Sequence, residues 1–127
     1  MRRFGTVLIL TTLFFTACSP DQAVKNYYRS YLTGDYCRAA RYAASSEQEA
    51  YRMFGQQLRP EEKKRLHKRK VRVRDVSTEA LSDTSMLATC TVLLKEPQKS
   101  EDTLYRLVQL KKEGRRWKVN TGIWSER

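Results

Sequence analysis

The chain has 127 residues, 25 of them Lys or Arg against 14 Asp or Glu, for a net charge of +11. Charge of this size implies solubility and attraction to anions and says nothing of the fold, while the length allows one core rather than two domains. With one histidine and three cysteines there is no zinc-ligand pattern, and no internal repeat or low-complexity segment points to an array or a disordered chain.

In chain order the first element is a targeting segment. Arg2 and Arg3 precede an apolar run from Phe4 to Phe15, followed by Thr16-Ala17-Cys18. The run is shorter than the roughly 20 apolar residues that span a bilayer, and a basic start with small residues at its end is the pattern of an export signal. The junction resembles the lipobox of bacterial lipoproteins, with Phe15 where an aliphatic residue is usual. That resemblance implies that residues 1–17 are removed as a signal peptide. Cys18 then carries a diacylglyceryl group, and residues 18–127 form a single lipid-anchored domain of the cell envelope. Two or more acyl chains give stable anchoring, and Ser19 in place of Asp favours the outer membrane, facing the periplasm, over the inner one. An ordinary secretory signal with an incidental cysteine is the competing reading. Without Arg2 and Arg3 the remainder has 23 basic residues against 14 acidic, a net charge of +9.

Helical signals follow. Ser19-Pro20-Asp21-Gln22 is a capping box with Pro at the first helical position. Ala23, Val24, Tyr27, Tyr28, Tyr31 and Leu32 recur at helical spacing, and Gly34 ends the helix as a left-handed cap. Asp35 caps a second helix reaching Ala44, with Cys37, Ala40 and Ala44 on its buried side. Ser46-Glu47-Gln48-Glu49 reads as another capping box, opening a helix with Ala50, Met53, Phe54 and Leu58 on its apolar face. Glu61 to Arg69 is a further helical piece, acidic first and basic last, as the helix dipole favours.

Strand periodicity starts near residue 70. Val71 and Val73 alternate with Lys70, Arg72 and Arg74, and Asp75-Val76 breaks the phase, predicting a bulge or strand end. Met86, Ala88, Cys90, Val92 and Leu94 share one face of a second strand and Leu87, Thr89, Thr91 and Leu93 the other, which predicts a central strand covered on both sides. A third strand spans about Thr103 to Lys111, and Glu113-Gly114 turns into a fourth, Arg116 to Trp124. Helices followed by antiparallel strands predict an α+β fold, N-terminal helices packed on a sheet of about four strands.

This order of elements, and especially Leu107 to Val119 (LVQLKKEGRRWKV), resembles small bacterial lipoprotein domains of the nuclear-transport-factor-2-like and lumazine-binding-like type. The resemblance implies a curved, cone-like antiparallel sheet wrapped around helices. That cone hosts isomerases, dehydratases and non-catalytic adaptors, so it leaves function open.

No residue set in the chain matches a catalytic motif of those enzymes. His67 sits within Lys64-Arg65-Leu66-His67-Lys68 and reads as a solvated helix position, and there is no P-loop, dinucleotide turn or Gly-x-Ser-x-Gly elbow. The chain is therefore expected to have a non-catalytic binding or structural role in the envelope. No catalytic residue, metal or cofactor is expected, and the ligand or partner is unidentified. The alternative is a small isomerase- or dehydratase-like pocket enzyme on the same cone. Met86, Ala88, Cys90, Val92, Tyr27, Tyr31 and Phe54 either line a pocket or fill the core. With Cys18 lipidated, Cys37 and Cys90 are left to form a disulfide in an oxidising periplasm, two buried thiols being the alternative. Lys63, Lys64, Arg65, Lys68, Arg69, Lys70, Arg72 and Arg74 put eight cations within twelve residues. They are either ordinary solvated positions or a surface for anionic lipid headgroups or an acidic envelope protein. No aromatic residue interleaves them, so nucleic acid is not expected as a partner.

Overall fold

The computed structural model describes residues 19–122. Cys18, the targeting segment before it and Trp124 lie outside the described residues.

Helix α1 (Pro20–Leu32) starts as its sequence dictates: the Ser19 hydroxyl accepts from the Gln22 amide at 3.3 Å and Pro20 takes the first turn. Ala23, Val24, Tyr27 and Tyr28 are its buried face. Gly34 follows with φ +80°, and a Cβ there would meet Leu66 at 3.0 Å. The turn therefore needs glycine twice, for its backbone and for the packing of α4 against it.

Asp35 caps α2 (Tyr36–Tyr42) by accepting from the Arg38 amide. The helix is shorter than expected; Ala40 and, beyond its end, Ala44 are buried as expected, but Ala39 is buried in place of Cys37, which is exposed. Beyond Tyr42 the chain turns extended, and Ala43 makes a parallel bridge to Val119. The capping box expected at Ser46 does not form. A 3-10 turn, Ser45–Glu47, leads into α3 (Gln48–Gln57) with no side-chain cap, because Glu47 bonds elsewhere. Ala50 and Tyr51 face inward, while Met53 and Phe54 stay exposed. Helix α4 (Pro60–His67) buries Leu66 and carries its acidic and basic ends as read.

The strands β1 (Lys70–Ser82), β2 (Ser85–Lys95), β3 (Asp102–Glu113) and β4 (Arg116–Asn120) form one curved antiparallel sheet in the order β1-β2-β3-β4. The phase break is a bulge: Arg74 pairs with Thr91 and Ser77 with Thr89, so Asp75 and Val76 together oppose Cys90, with Asp75 at φ 55°. The strand β4 ends at Asn120.

One face of the sheet, with Val73, Ala88, Cys90, Val92, Val108, Leu110 and Val119, packs on Val24, Tyr27, Tyr28, Ala39, Ala40, Ala43 and Tyr51. Each larger apolar side chain so buried contributes about 1.5–3 kcal/mol. The other face is covered only in part: Leu93 is buried, but Tyr105 is 76% and Leu107 64% exposed, and Thr89 is open beside them. The β1–β2 hairpin also runs past the helices, so Ser77 to Ser82 are exposed. Among the described residues no helix is long and apolar enough to cross a membrane.

Candidate functional site

The residues that the cone was expected to offer to a ligand are largely spent on packing. Ala88, Cys90, Val92 and Tyr27 are buried in the core, with Met86 and Tyr31 packed against it. Tyr27 stacks on Tyr31 at 5.6 Å and meets Tyr51 edge-on at 5.8 Å, so aromatic rings fill the space under the sheet. Cys90 lies on that inner face, where burial raises its thiol pKa, whereas Cys37 sits on the outer side of α2 against Gly55 of α3. They occupy different layers, and the expected Cys37–Cys90 bond is absent: both are free thiols.

A polar chain runs from this aromatic cluster to the end of β4. The Tyr27 and Tyr51 hydroxyls are 2.6 Å apart, Tyr51 Oη is 3.3 Å from Thr121 Oγ1, and Thr121 donates to Glu47 Oε1 from both its amide and its hydroxyl at 3.0 Å. Glu47 Oε2 accepts from the Gly122 amide at 2.6 Å. Burial, reinforced by the Tyr51 contact, raises the Tyr27 pKa, and burial likewise raises Tyr51. These groups resemble acid–base machinery in type, but Tyr51 and Glu47 are enclosed and their bonds run inside the protein. The chain is a clamp between the Ala44–Glu47 turn and the last strand. Glu113 completes it from the β3–β4 hairpin, accepting from the Ser45 amide and hydroxyl at 3.0 and 2.6 Å.

The basic segment is divided by the fold. Arg65 Nη1 donates to Glu96 Oε1 at 3.1 Å, Arg69 Nε lies 3.7 Å from the same oxygen, and Arg72 Nη2 donates to Glu101 at 3.2 Å. Desolvation raises the Glu96 pKa, but Arg69, Lys99 and Arg65 outweigh it and hold the carboxyl below its usual range. Arg69 Nη1 also donates to the Leu32 carbonyl at 3.1 Å and His67 Nδ1 meets the Thr33 carbonyl at 2.8 Å. Both therefore cap the C-terminal end of α1, where free carbonyls and the dipole favour cations. Lys63, Lys64, Lys68, Lys70 and Arg74 are exposed and, among the described residues, have no carboxylate partner.

Beside this junction is a pocket that the sequence did not disclose. Asn26, Arg29 and Ser30 line it from α1, Thr33 and Asp35 from the turn after it, Arg38 from α2, Arg69 from the link between α4 and β1, and Val71 from β1, around a cavity of about 420 Å³. Arg29 and Arg38 have no carboxylate within ion-pair distance among the described residues. A signal did exist: Ser30 follows Ala23 and Tyr27 on the buried stripe of α1, a polar residue where an apolar one fits. A smaller aromatic groove of about 310 Å³ lies between Tyr31, Tyr36, Phe54, Gln57, Leu58 and Glu62. Among the described residues no group of three His, Cys, Asp or Glu is placed to hold a metal ion.

Four helices on a curved four-stranded antiparallel sheet define an NTF-2-like α+β fold. In particular, the chain is similar to the crystal structure of an NTF-2-like protein of unknown function from Shewanella oneidensis MR-1, with TM-score 0.54 and 16% identity over 77% of this chain and 88% of that one. It is also similar to the solution structure of a SEC-C motif containing protein from Rhodopseudomonas palustris, with TM-score 0.55 and 13% identity over 82% of this chain and 77% of that one. No family model and no curated protein matches the chain. At these identities the likeness carries the fold and not an activity.

Proposed function

We propose that the chain is a lipid-anchored protein of the bacterial envelope, held through Cys18, whose basic α4–β1 surface rests on anionic lipid headgroups and whose role is binding rather than catalysis. The observation that carries this reading is the set of exposed cations Lys63, Lys64, Lys68, Lys70 and Arg74, which no carboxylate among the described residues neutralises. An acyl anchor holds the domain at a surface where each such cation adds about 1 kcal/mol of attraction. In this reading the anchor sets the address, outer membrane facing the periplasm, and the cations set the orientation.

Two variants test it. Cys18→Ala leaves the protein unlipidated, and membrane fractionation should find it unprocessed or soluble; a mutant still at wild-type size in the membrane fraction refutes the anchor. In a soluble form beginning at Ser19, Lys63→Glu, Lys64→Glu, Lys68→Glu and Lys70→Glu together should abolish binding to phosphatidylglycerol vesicles with the melting temperature kept. Wild-type vesicle binding should itself weaken as salt shortens the screening length below about 8 Å. Arg65, Arg69 and Arg72 are left out of the set because their ion pairs belong to the fold.

A further inference from the structure

We propose that the pocket between α1, α2 and β1 is a binding site for a phosphomonoester, the phosphoryl group being held by Arg29, Arg38 and Arg69 with the Ser30 hydroxyl. This goes beyond membrane docking and does not depend on it.

Three observations carry the assignment. First, guanidinium groups from α1, α2 and the α4–β1 link converge on one cavity, which is the arrangement that suits planar, forked donors to a multi-oxygen anion. Arg29 and Arg38 are unspent on any carboxylate among the described residues, and Arg69 uses Nη1 on the Leu32 carbonyl and turns Nε toward Glu96, which leaves Nη2. Second, Ser30 is only 6% exposed and lies in the pocket wall, and no hydrogen bond among the described residues uses its hydroxyl, which leaves that oxygen open to the cavity and lacking a protein partner. A ligand oxygen in the pocket would supply it. Third, the wall charges fit the ligand: three arginines and Asp35 leave an excess of two positive charges, and a phosphomonoester carries about −1.5 to −2 at neutral pH.

A carboxylate would need only one of these arginines. A bare phosphate would leave most of a 420 Å³ cavity unfilled, a volume in the range of pockets that hold small organic ligands. Asn26 and Thr33 add polar groups on the same wall for the remainder of the molecule. The phosphomonoester can come from a soluble metabolite or from a lipid headgroup, and the chemistry that recognises it is the same.

The test is calorimetric titration of the full chain in a non-ionic detergent with sn-glycerol 3-phosphate, and in parallel, after removal of the detergent, co-sedimentation with vesicles of phosphatidylcholine containing phosphatidic acid. Saturable binding of at least one probe is expected. Arg29→Gln with Arg38→Gln should weaken it at least tenfold and Ser30→Ala several-fold. The pair Arg115→Gln and Arg116→Gln, which removes the same charge at the β3–β4 turn, should leave it within twofold. Binding should also weaken below about pH 6, where the monoester takes up its second proton. Binding of the soluble probe identifies a soluble source, and binding of the vesicles alone, lost in the arginine variant, identifies a headgroup. Either supports the site. No saturable binding of either probe, or binding that the Arg29/Arg38 variant keeps within twofold while its melting temperature is unchanged, overturns it. Loss of phosphatidylglycerol binding in the lysine variant reports on membrane docking alone, so the two readings fail separately.

Discussion

Glu47 and Ser30 are both buried polar residues, exposed by 1% and 6%, but they sit in regions that treat polar groups in opposite ways. Around Glu47, at the end of β4, donors are directed at acceptors: two backbone amides and a hydroxyl meet its carboxylate, and two tyrosines extend the chain. Around Ser30, cations crowd a cavity and the hydroxyl is left without a partner among the described residues. The first region gains stability from its polar groups. The second leaves its polar groups open to the cavity, where a ligand can meet them.

The comparison can be broken at its strong side first. Glu47→Ala removes the carboxylate to which the Thr121 amide and hydroxyl and the Gly122 amide donate and should lower stability by about 3 kcal/mol, the cost of losing charge-assisted bonds and leaving part-buried donors short of an acceptor. Denaturant titration measures it; a loss below 1 kcal/mol would mean that the clamp is incidental. On the pocket side the largest effect should come from Gly34→Ala, where positive φ and the 3.0 Å approach to Leu66 together cost about 2 kcal/mol. The same titration checks it.

A pH experiment sharpens the contrast further. Burial, with the Tyr51 contact added for Tyr27, raises the pKa of Tyr27 and burial raises those of Tyr28 and Tyr51, so the folded state favours the neutral phenols. A raised pKa means that their stabilisation is complete below the ordinary value of about 10 and is lost as pH climbs above it. Phenolate absorbance from these three should appear in one step with the loss of circular dichroism, not before it. Ionisation of all tyrosines in the intact fold would contradict the enclosure of the clamp. The smallest effect belongs to the open pocket: Arg29→Gln with Arg38→Gln should change stability by less than about 0.5 kcal/mol, because neither guanidinium has an ion-pair partner to lose.

What could be read from the sequence was whatever is encoded within a few residues. The Ser19 cap, the Gly34 stop, the Asp35 cap and the Asp75 bulge are local decisions of backbone and neighbouring side chains, and each stands where the pattern puts it. The Ser46 capping box failed for the converse reason: residues 45–47 form a 3-10 turn held by Ser45 to Glu113 and Glu47 to Thr121, 68 and 74 residues away, so α3 starts at Gln48, and no local pattern registers those distant bonds. On α2 the buried alanines Ala40 and Ala44 were legible, but Cys37 was misplaced because Ala39 and Cys37 flank the same stripe and only tertiary packing chooses between them. Strand alternation put Thr89 and Leu93 on one outer face of β2, yet Leu93 is buried and Thr89 open, because what covers each end of a face depends on where the rest of the chain goes. The pocket escaped for the same reason: Arg29, Arg38 and Arg69 are scattered along the chain and meet only in three dimensions.

The parallel bridge between Ala43 and Val119 has a kinetic consequence. The sheet is a meander, so each hairpin joins neighbours across a short turn and can zip early, as at Ser82 to Ser85 and Glu113 to Arg116. The bridge instead ties a segment that precedes every strand to the last of them, and the entropy of closing so long a loop delays it. Folding therefore ends with the α2–β4 seam, after the meander has formed. Contacts made after the transition state hold back escape rather than speed entry. Glu47 and Thr121, which lock that seam, consequently govern how long the folded protein lasts more than how fast it is reached.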